Sequence, residues 1–203
     1  MKRMEIAATD DKQKYTYDDY IRLDDDNRYE VVEGELLLTP SPGFKHQDVV
    51  RKLAGLLSAW IEGQNLGVVI TAPFDVVLAR DTVLQPDIVY LARENYHRLT
   101  NACLQGAPDL VIEVISPSTI RRDRIRKSRL YLKHGVKEYW LVDPEGGTVE
   151  IFTYTLEGWR LAGTYSQEEI LNSPLLPELA IDLNAVFTHA EGLSSYISRL
   201  PKE

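Results

Sequence analysis

Three residues of this 203-residue chain could act together on a phosphodiester: Asp87, Glu113 and Lys127. Two hard carboxylates on neighbouring strands can hold Mg2+ or Mn2+ through one or two protein oxygens, with waters completing the shell. Such an ion lowers the pKa of a bound water and offsets charge developing on a phosphate. A nearby ammonium can orient that water or stabilise the crowded transition state.

Each residue also has a plainer explanation. In DLVIEVI, Leu110, Ile112 and Val114 share one strand face, and Val111, Glu113 and Ile115 share the other. A carboxylate flanked there by Val111 and Ile115 costs several kcal/mol in desolvation unless a cation or hydrogen bonds offset it. The alternative is a buried glutamate paired with an arginine, or a strand end that is exposed. Asp87 follows Pro86 and opens the run IVYL, and a Pro-Asp pair is also ordinary turn chemistry. At 100° per residue, Lys127 falls within about 60° of Leu130, Tyr131 and His134, the apolar side of its helix. Its alternative is a snorkelling lysine with a solvated head. His46 stands in register with an apolar helical stripe, where a half-buried, satisfied histidine is the common case. Glu33, in a Glu-Gly turn, is a further candidate acid, with Glu30 and Glu35 as close rivals.

The elements that must position these residues are legible as alternating patterns. The first fourteen residues are polar and read as a disordered tail, leaving 15–203 as a single domain. Thr16 and Asp19 have capping-box spacing before a short helix. YEVVEGELLL reads as two strands turning at Glu33-Gly34. Pro40 and Pro42 precede the longest helical pattern, in which His46, Val49, Val50, Leu53, Leu56, Leu57 and Trp60 recur at helical spacing up to Gly63. VVIT follows, then FDVVL and DIVYL around a polar ARD turn, then DLVIEVI. A basic helix from about Ile120 to His134 stops at Gly135. EYWLVD, TVEIFTYT and WRLAGTYS form an antiparallel meander, and PELAIDLNAVF gives a last strand and helix. Strands, a helix and a further strand imply an α/β fold, an α+β mixed sheet flanked by helices.

Hydrophobic residues at 44% and charged residues at 27% fit an ordinary globular chain. No apolar run approaches the roughly 18–20 residues that cross a bilayer, and no h-region marks a signal peptide. The single cysteine, Cys103, excludes an internal disulfide and a cysteine cage for zinc. A cytoplasmic protein is expected. The net charge of −8 opposes nucleic-acid binding on average. Locally, Arg121, Arg122, Arg124, Arg126, Lys127, Arg129, Lys133 and Lys137 face only Asp123. On the helix Arg122, Arg129 and Lys133 cluster on a flank aimed at solvent or a polyanion.

The strings LQPDIVYL, APDLVIEVISPST and DRIRKSRLYLKHGVKEYWLVDP, with YEVVEGELLLTPSP and the KHQ around His46, resemble the Uma-type family of bacterial restriction endonucleases. That family lies in the PD-(D/E)XK nuclease superfamily, and the likeness covers roughly Tyr15 to Phe187. The resemblance implies a restriction-endonuclease-like core with flanking helices and an antiparallel β extension. It implies that Asp87 and Glu113 ligate a divalent ion, that the Val114 carbonyl supplies another ligand, and that Glu33 is the upstream acid. His46 becomes a helix residue facing the site, followed by the expected Gln47. Where the superfamily places its lysine, two residues after the acid, this chain has Ile115, so the role is implied to have moved to Lys127.

The function expected is a Mg2+- or Mn2+-dependent DNA endonuclease of the PD-(D/E)XK type. Arg122, Arg126, Arg129 and Lys133 would touch the phosphate backbone. The alternative is a non-catalytic nucleic-acid- or protein-binding module on the same scaffold, which the acidic charge favours. A glycosidase-like pair of Asp87 and Glu113 suits the basic helix less well. The aromatic meander Tyr139 to Tyr165, expected to be exposed, and the resemblance point to a homodimer.

Overall fold

The computed structural model describes residues 14–116 and 122–189, together with Leu193 and Tyr196. The polar tail, apart from Lys14, and the first residues expected in the basic helix lie outside the described residues. So does the side chain of Arg122.

The elements run α1 (Tyr17–Tyr20), β1 (Tyr29–Val32), β2 (Glu35–Leu38), α2 (Phe44–Gly63), β3 (Gly67–Thr71), β4 (Asp75–Ala79), β5 (Thr82–Leu84) and β6 (Ile88–Ala92). A 3-10 turn (Arg93–Arg98), β7 (Cys103–Gln105) and β8 (Leu110–Val114) follow. Then come a π-type turn (Arg122–Lys127), α3 (Ser128–His134), β9 (Glu138–Asp143), β10 (Thr148–Thr155), β11 (Gly158–Ser166), β12 (Ile170–Asn172), β13 (Ala180–Asp182) and α4 (Leu183–Phe187). The fold is mixed α and β, as expected.

The strands form two sheets and a ribbon where the sequence suggested one sheet. The larger has the order β11-β10-β9-β8-β6-β3, the smaller β2-β1-β5-β4-β7, and β12 pairs with β13. The division falls at Gln85-Pro86-Asp87. The chain turns back at Arg80-Asp81 into β5 of the smaller sheet, then Pro86 interrupts it before β6 enters the larger one. FDVVL and DIVYL, read from the sequence as runs on either side of the ARD turn, therefore belong to different sheets, with β5 between them in the chain. The meander β9-β10-β11 is antiparallel throughout, while β8 and β9 run parallel, joined by the crossover through α3. Gly135 ends α3 in the left-handed conformation at φ 82°, where a side chain would be strained.

Strand β8 is interior and covered on both faces. Leu110, Ile112 and Val114 pack with Val49, Val50, Leu53, Leu57 and Ile61 of α2. Val111 and Ile115 pack on the opposite side with Leu130, Tyr131 and Tyr139. Glu113 shares that second face, so it points at α3 and the smaller sheet. Ile115, where the resemblance would have placed a lysine, is a core residue at 4% exposure. Among the described residues no helix is long and apolar enough to cross a membrane.

A buried polar tie fixes the crossover. Asp109 accepts from the main chain of Ala92 (2.8 Å), from Asn95 Nδ2 (3.0 Å) and from Lys137 Nζ (2.7 Å). Burial opposes its ionisation, but the Lys137 ammonium and these hydrogen bonds win, holding the carboxyl below its ordinary value. A depressed acid adds stability above the unfolded value of about 3.9 and loses it as pH falls through the folded value. Asp109→Asn should therefore cost about 1–3 kcal/mol at neutral pH by unbalancing this network. The gap to the parent chain should narrow below about pH 4. Thermal melts at a series of pH values check it, and a gap that stays constant to pH 3 contradicts the assignment.

Candidate metal centre

Asp87 stands where the two sheets part and lines a cleft of about 230 Å³. The main chain of Ile115 donates to Val142 of β9 at 2.8 Å, so alternation turns the amide and carbonyl of Val114 towards the other neighbour, β6. There β6 has no further main chain to offer, because Asp87 precedes its first residue. The Asp87 side chain takes its place: Val114 N–H donates to Oδ2 at 2.8 Å. His46 Nε2, from the first turn of α2, lies 3.1 Å from the same oxygen. Among the described residues nothing hydrogen-bonds Asp87 Oδ1, which leaves one oxygen open for a ligand. His46 Nδ1 is buried without a hydrogen-bond partner among the described residues.

Behind Asp87 lies a cluster removed from water. Lys127 Nζ is 3.0 Å from Glu113 Oε1 and 2.8 Å from Glu30 Oε1. Exposures of 3% for both Lys127 and Glu113 and 0% for Glu30 make these buried charges, not a solvated network. Glu30 Oε1 also accepts from the main chain of Gln85 at 2.9 Å. Tyr131, fully buried on α3, donates its hydroxyl to Glu113 Oε1. Burial, then Glu113 and Glu30, push that hydroxyl well above the ordinary tyrosine value, so it stays a donor. Lys127 reaches inwards from the junction of the π-type turn and α3.

The structure thus brings Asp87, Glu113, Val114, Lys127 and His46 to one cleft. It does not bring Glu33 there. Glu33 sits in the β1–β2 turn at φ 53° and pairs with Arg129 on the surface at 2.7 Å. The upstream acid in the cluster is its rival Glu30. The basic helix is similarly redirected: Arg126 holds Glu35 at 2.8 Å, Arg124 holds Glu150 at 2.6 Å, and Lys133 is exposed. None of Arg126, Arg129 and Lys133 lines the cleft. Arg28, unremarked in the sequence, does.

The donor set can be tested against a divalent ion. Among the described residues no three His, Cys, Asp or Glu side chains are placed to hold a metal. Zinc sites that catalyse take three such ligands. Two carboxylates and one main-chain carbonyl instead fit an ion that keeps several waters, as Mg2+ does.

The chain is similar in fold to a solved structure described as a "putative nuclease belonging to DUF820 from Anabaena variabilis". The two share 21% identity with a TM-score of 0.71, over 85% of this chain and 97% of that one. A search among curated proteins returns no match. The Uma2 family model, described as "Putative restriction endonuclease", matches residues 17–184. The resemblance read from the motifs around Asp87, Glu113 and His46 is therefore borne out at the level of family: the chain belongs to the Uma2 family and carries its nuclease-like fold.

Proposed function

We propose that this protein is a Mg2+- or Mn2+-dependent DNA endonuclease. One observation carries the reading: an aspartate with an open oxygen, a buried glutamate and a buried lysine meet in one cleft, at the parting of two sheets. Asp87, Glu113 and the Val114 carbonyl would hold the ion, which supplies Lewis-acid stabilisation to the charge developing on a phosphate. His46 and the Val114 amide hold Asp87 in one orientation, so its open oxygen is presented without a rotamer search. Tyr131 and Lys127 do the same for Glu113. Lys127 adds a positive charge in a site that excludes water, where its field on a transferring phosphate is strongest.

Outside the cleft, Lys133 is free to meet a phosphate backbone, while Arg126 and Arg129 must first exchange Glu35 and Glu33. Arg122 belongs to the same proposed contact set. The meander is not exposed throughout, since Tyr139 and Trp140 of β9 are core residues. Homodimer formation is supported instead by Tyr154, Leu156 and Leu161, exposed on the β10–β11 hairpin, with β11 at the sheet edge.

The test is direct. Purified protein with Mg2+ or Mn2+ should cut duplex, single-stranded or branched DNA, and EDTA should stop it. Failure to cut any of the three in either metal removes this reading.

A further inference from the structure

Arg28 lies just before β1, its carbonyl taking the Thr39 amide at 2.8 Å, and its half-buried side chain lines the cleft that holds Asp87 and Lys127. Its Nε and Nη2 both approach Gln85 Oε1, at 3.3 and 3.0 Å. The amide of Gln85 cannot turn over, because its Nε2 donates to Asp75 Oδ1 at 2.9 Å and to the Tyr20 hydroxyl at 3.2 Å. Tyr20 in turn donates to Asp75 at 2.9 Å, and burial and that aspartate push its hydroxyl well above the ordinary value, so it stays protonated. Asp75 thereby fixes Gln85, and Gln85 fixes one edge of the guanidinium.

The partner so chosen is neutral. Arg124, Arg126 and Arg129 each hold a carboxylate at 2.8 Å or less, whereas Arg28 makes no ion pair among the described residues. A guanidinium has five N–H groups, and two are spent on Gln85. The full positive charge and the remaining donors are left to the cleft. A planar, pre-oriented fork of that kind matches the oxygens of a phosphate. Gln85 also stands two residues from Asp87, so the loop that aims Arg28 carries the candidate metal ligand. An anion held by the one is in fixed register with the other.

We infer that Arg28, aimed by Gln85, Asp75 and Tyr20, is a phosphate-binding residue that clamps a backbone phosphate of a nucleic-acid strand in the cleft. This rests on the nuclease reading for the identity of the ligand, but it concerns binding and not cleavage. The test measures anisotropy of short fluorescein-labelled oligonucleotides, single-stranded and duplex, across a salt series. Ca2+, another cation with oxygen ligands, replaces Mg2+.

Arg28→Met should weaken binding about tenfold, as expected for a lost charge-assisted contact. It should also flatten the slope of log affinity against log salt by about 0.7 for a single strand or about 0.9 for a duplex, the share of one phosphate. Arg28→Lys should keep the slope and lose only part of the affinity. Melting curves confirm that both variants fold. Wild-type affinity and slope in Arg28→Met overturn the inference and leave the nuclease reading standing. Loss of binding in Arg28→Met, beside a parent chain that binds but never cuts, supports Arg28 while the nuclease reading falls. A parent chain that binds neither strand removes both.

Discussion

Asp87→Asn is expected to lower metal-dependent cleavage at least about 100-fold, the scale on which one preorganised electrostatic contributor is lost, without unfolding the chain. Asparagine is the informative replacement. Its side-chain oxygen can still accept from the Val114 amide, which Oδ2 now satisfies at 2.8 Å, so the strand edge keeps its hydrogen bond. What it loses is the charge and the open second oxygen. Asp87→Ala would mix that effect with an unsatisfied amide costing about 1–3 kcal/mol. Calorimetric titration with Mn2+ should show weakened metal uptake in parallel with the lost rate. His46→Ala should show a milder effect, about 10–100-fold, as a residue that orients a ligand does. Cleavage by Asp87→Asn at the parental rate would show that the metal is held elsewhere.

How much of this centre the sequence disclosed depended on whether the needed information was local. Glu113 was legible because an acid inside LVIEV breaks an apolar pattern that is otherwise continuous. The strand proved covered on both faces. Lys127 was legible through helical phase, and the phase held because the residues used to judge it, Leu130 and Tyr131, lie in the regular turns of α3. The π-type winding lies upstream of them and did not disturb the count. Asp87 came almost wholly from the resemblance. Its place depends on a strand edge that ends one residue too early, which no local pattern announces.

Glu30 and Glu33 show the opposite limit. YEVV has no clean alternation, and three of its four residues proved buried, so the strand's own pattern could not tell which acid points inwards. The choice was made by pairing at a distance: Val31 meets Val83 of β5, which brings Glu30 beside the Gln85 amide. One signal was present. A two-residue hairpin tip of the tight type requires a positive φ at both positions, which glycine at the second makes easy. Glu33 at 53° and Gly34 at 86° adopt it, which carries Glu33 to the surface. The split into two sheets and the aim of Arg28 were hidden for the same reason, since one depends on Val31 pairing with Val83 and the other on Arg28 reaching Gln85, both far apart in the chain.

Lys127→Met should be the most destabilising single change in the centre, costing about 3–5 kcal/mol, because it strands buried acids instead of removing a pair. The lysine neutralises part of a cluster in which Glu30 and Glu113 both reach its ammonium with almost no access to water. Methionine fills the stem's volume, so the loss is electrostatic and not a cavity. That origin makes a compensating change possible. In Lys127→Met/Glu30→Gln one stranded charge is gone while the acceptor for the Gln85 amide, now 2.9 Å away, is kept. The double variant should therefore be more stable than Lys127→Met by over about 1 kcal/mol, a coupling of the size seen for residues in one network. It should nonetheless cut no DNA, since the ammonium is missing. Stability and catalysis then part company in one pair of proteins, measured by denaturant unfolding and by cleavage. If Lys127→Met unfolds at the parental midpoint, the cluster is not a buried charge network and Lys127 is a lysine with a solvated head. If the double variant cuts as the parent does, the ammonium has no part in the chemistry and the positive charge on the phosphate must come from Arg28 and the metal alone.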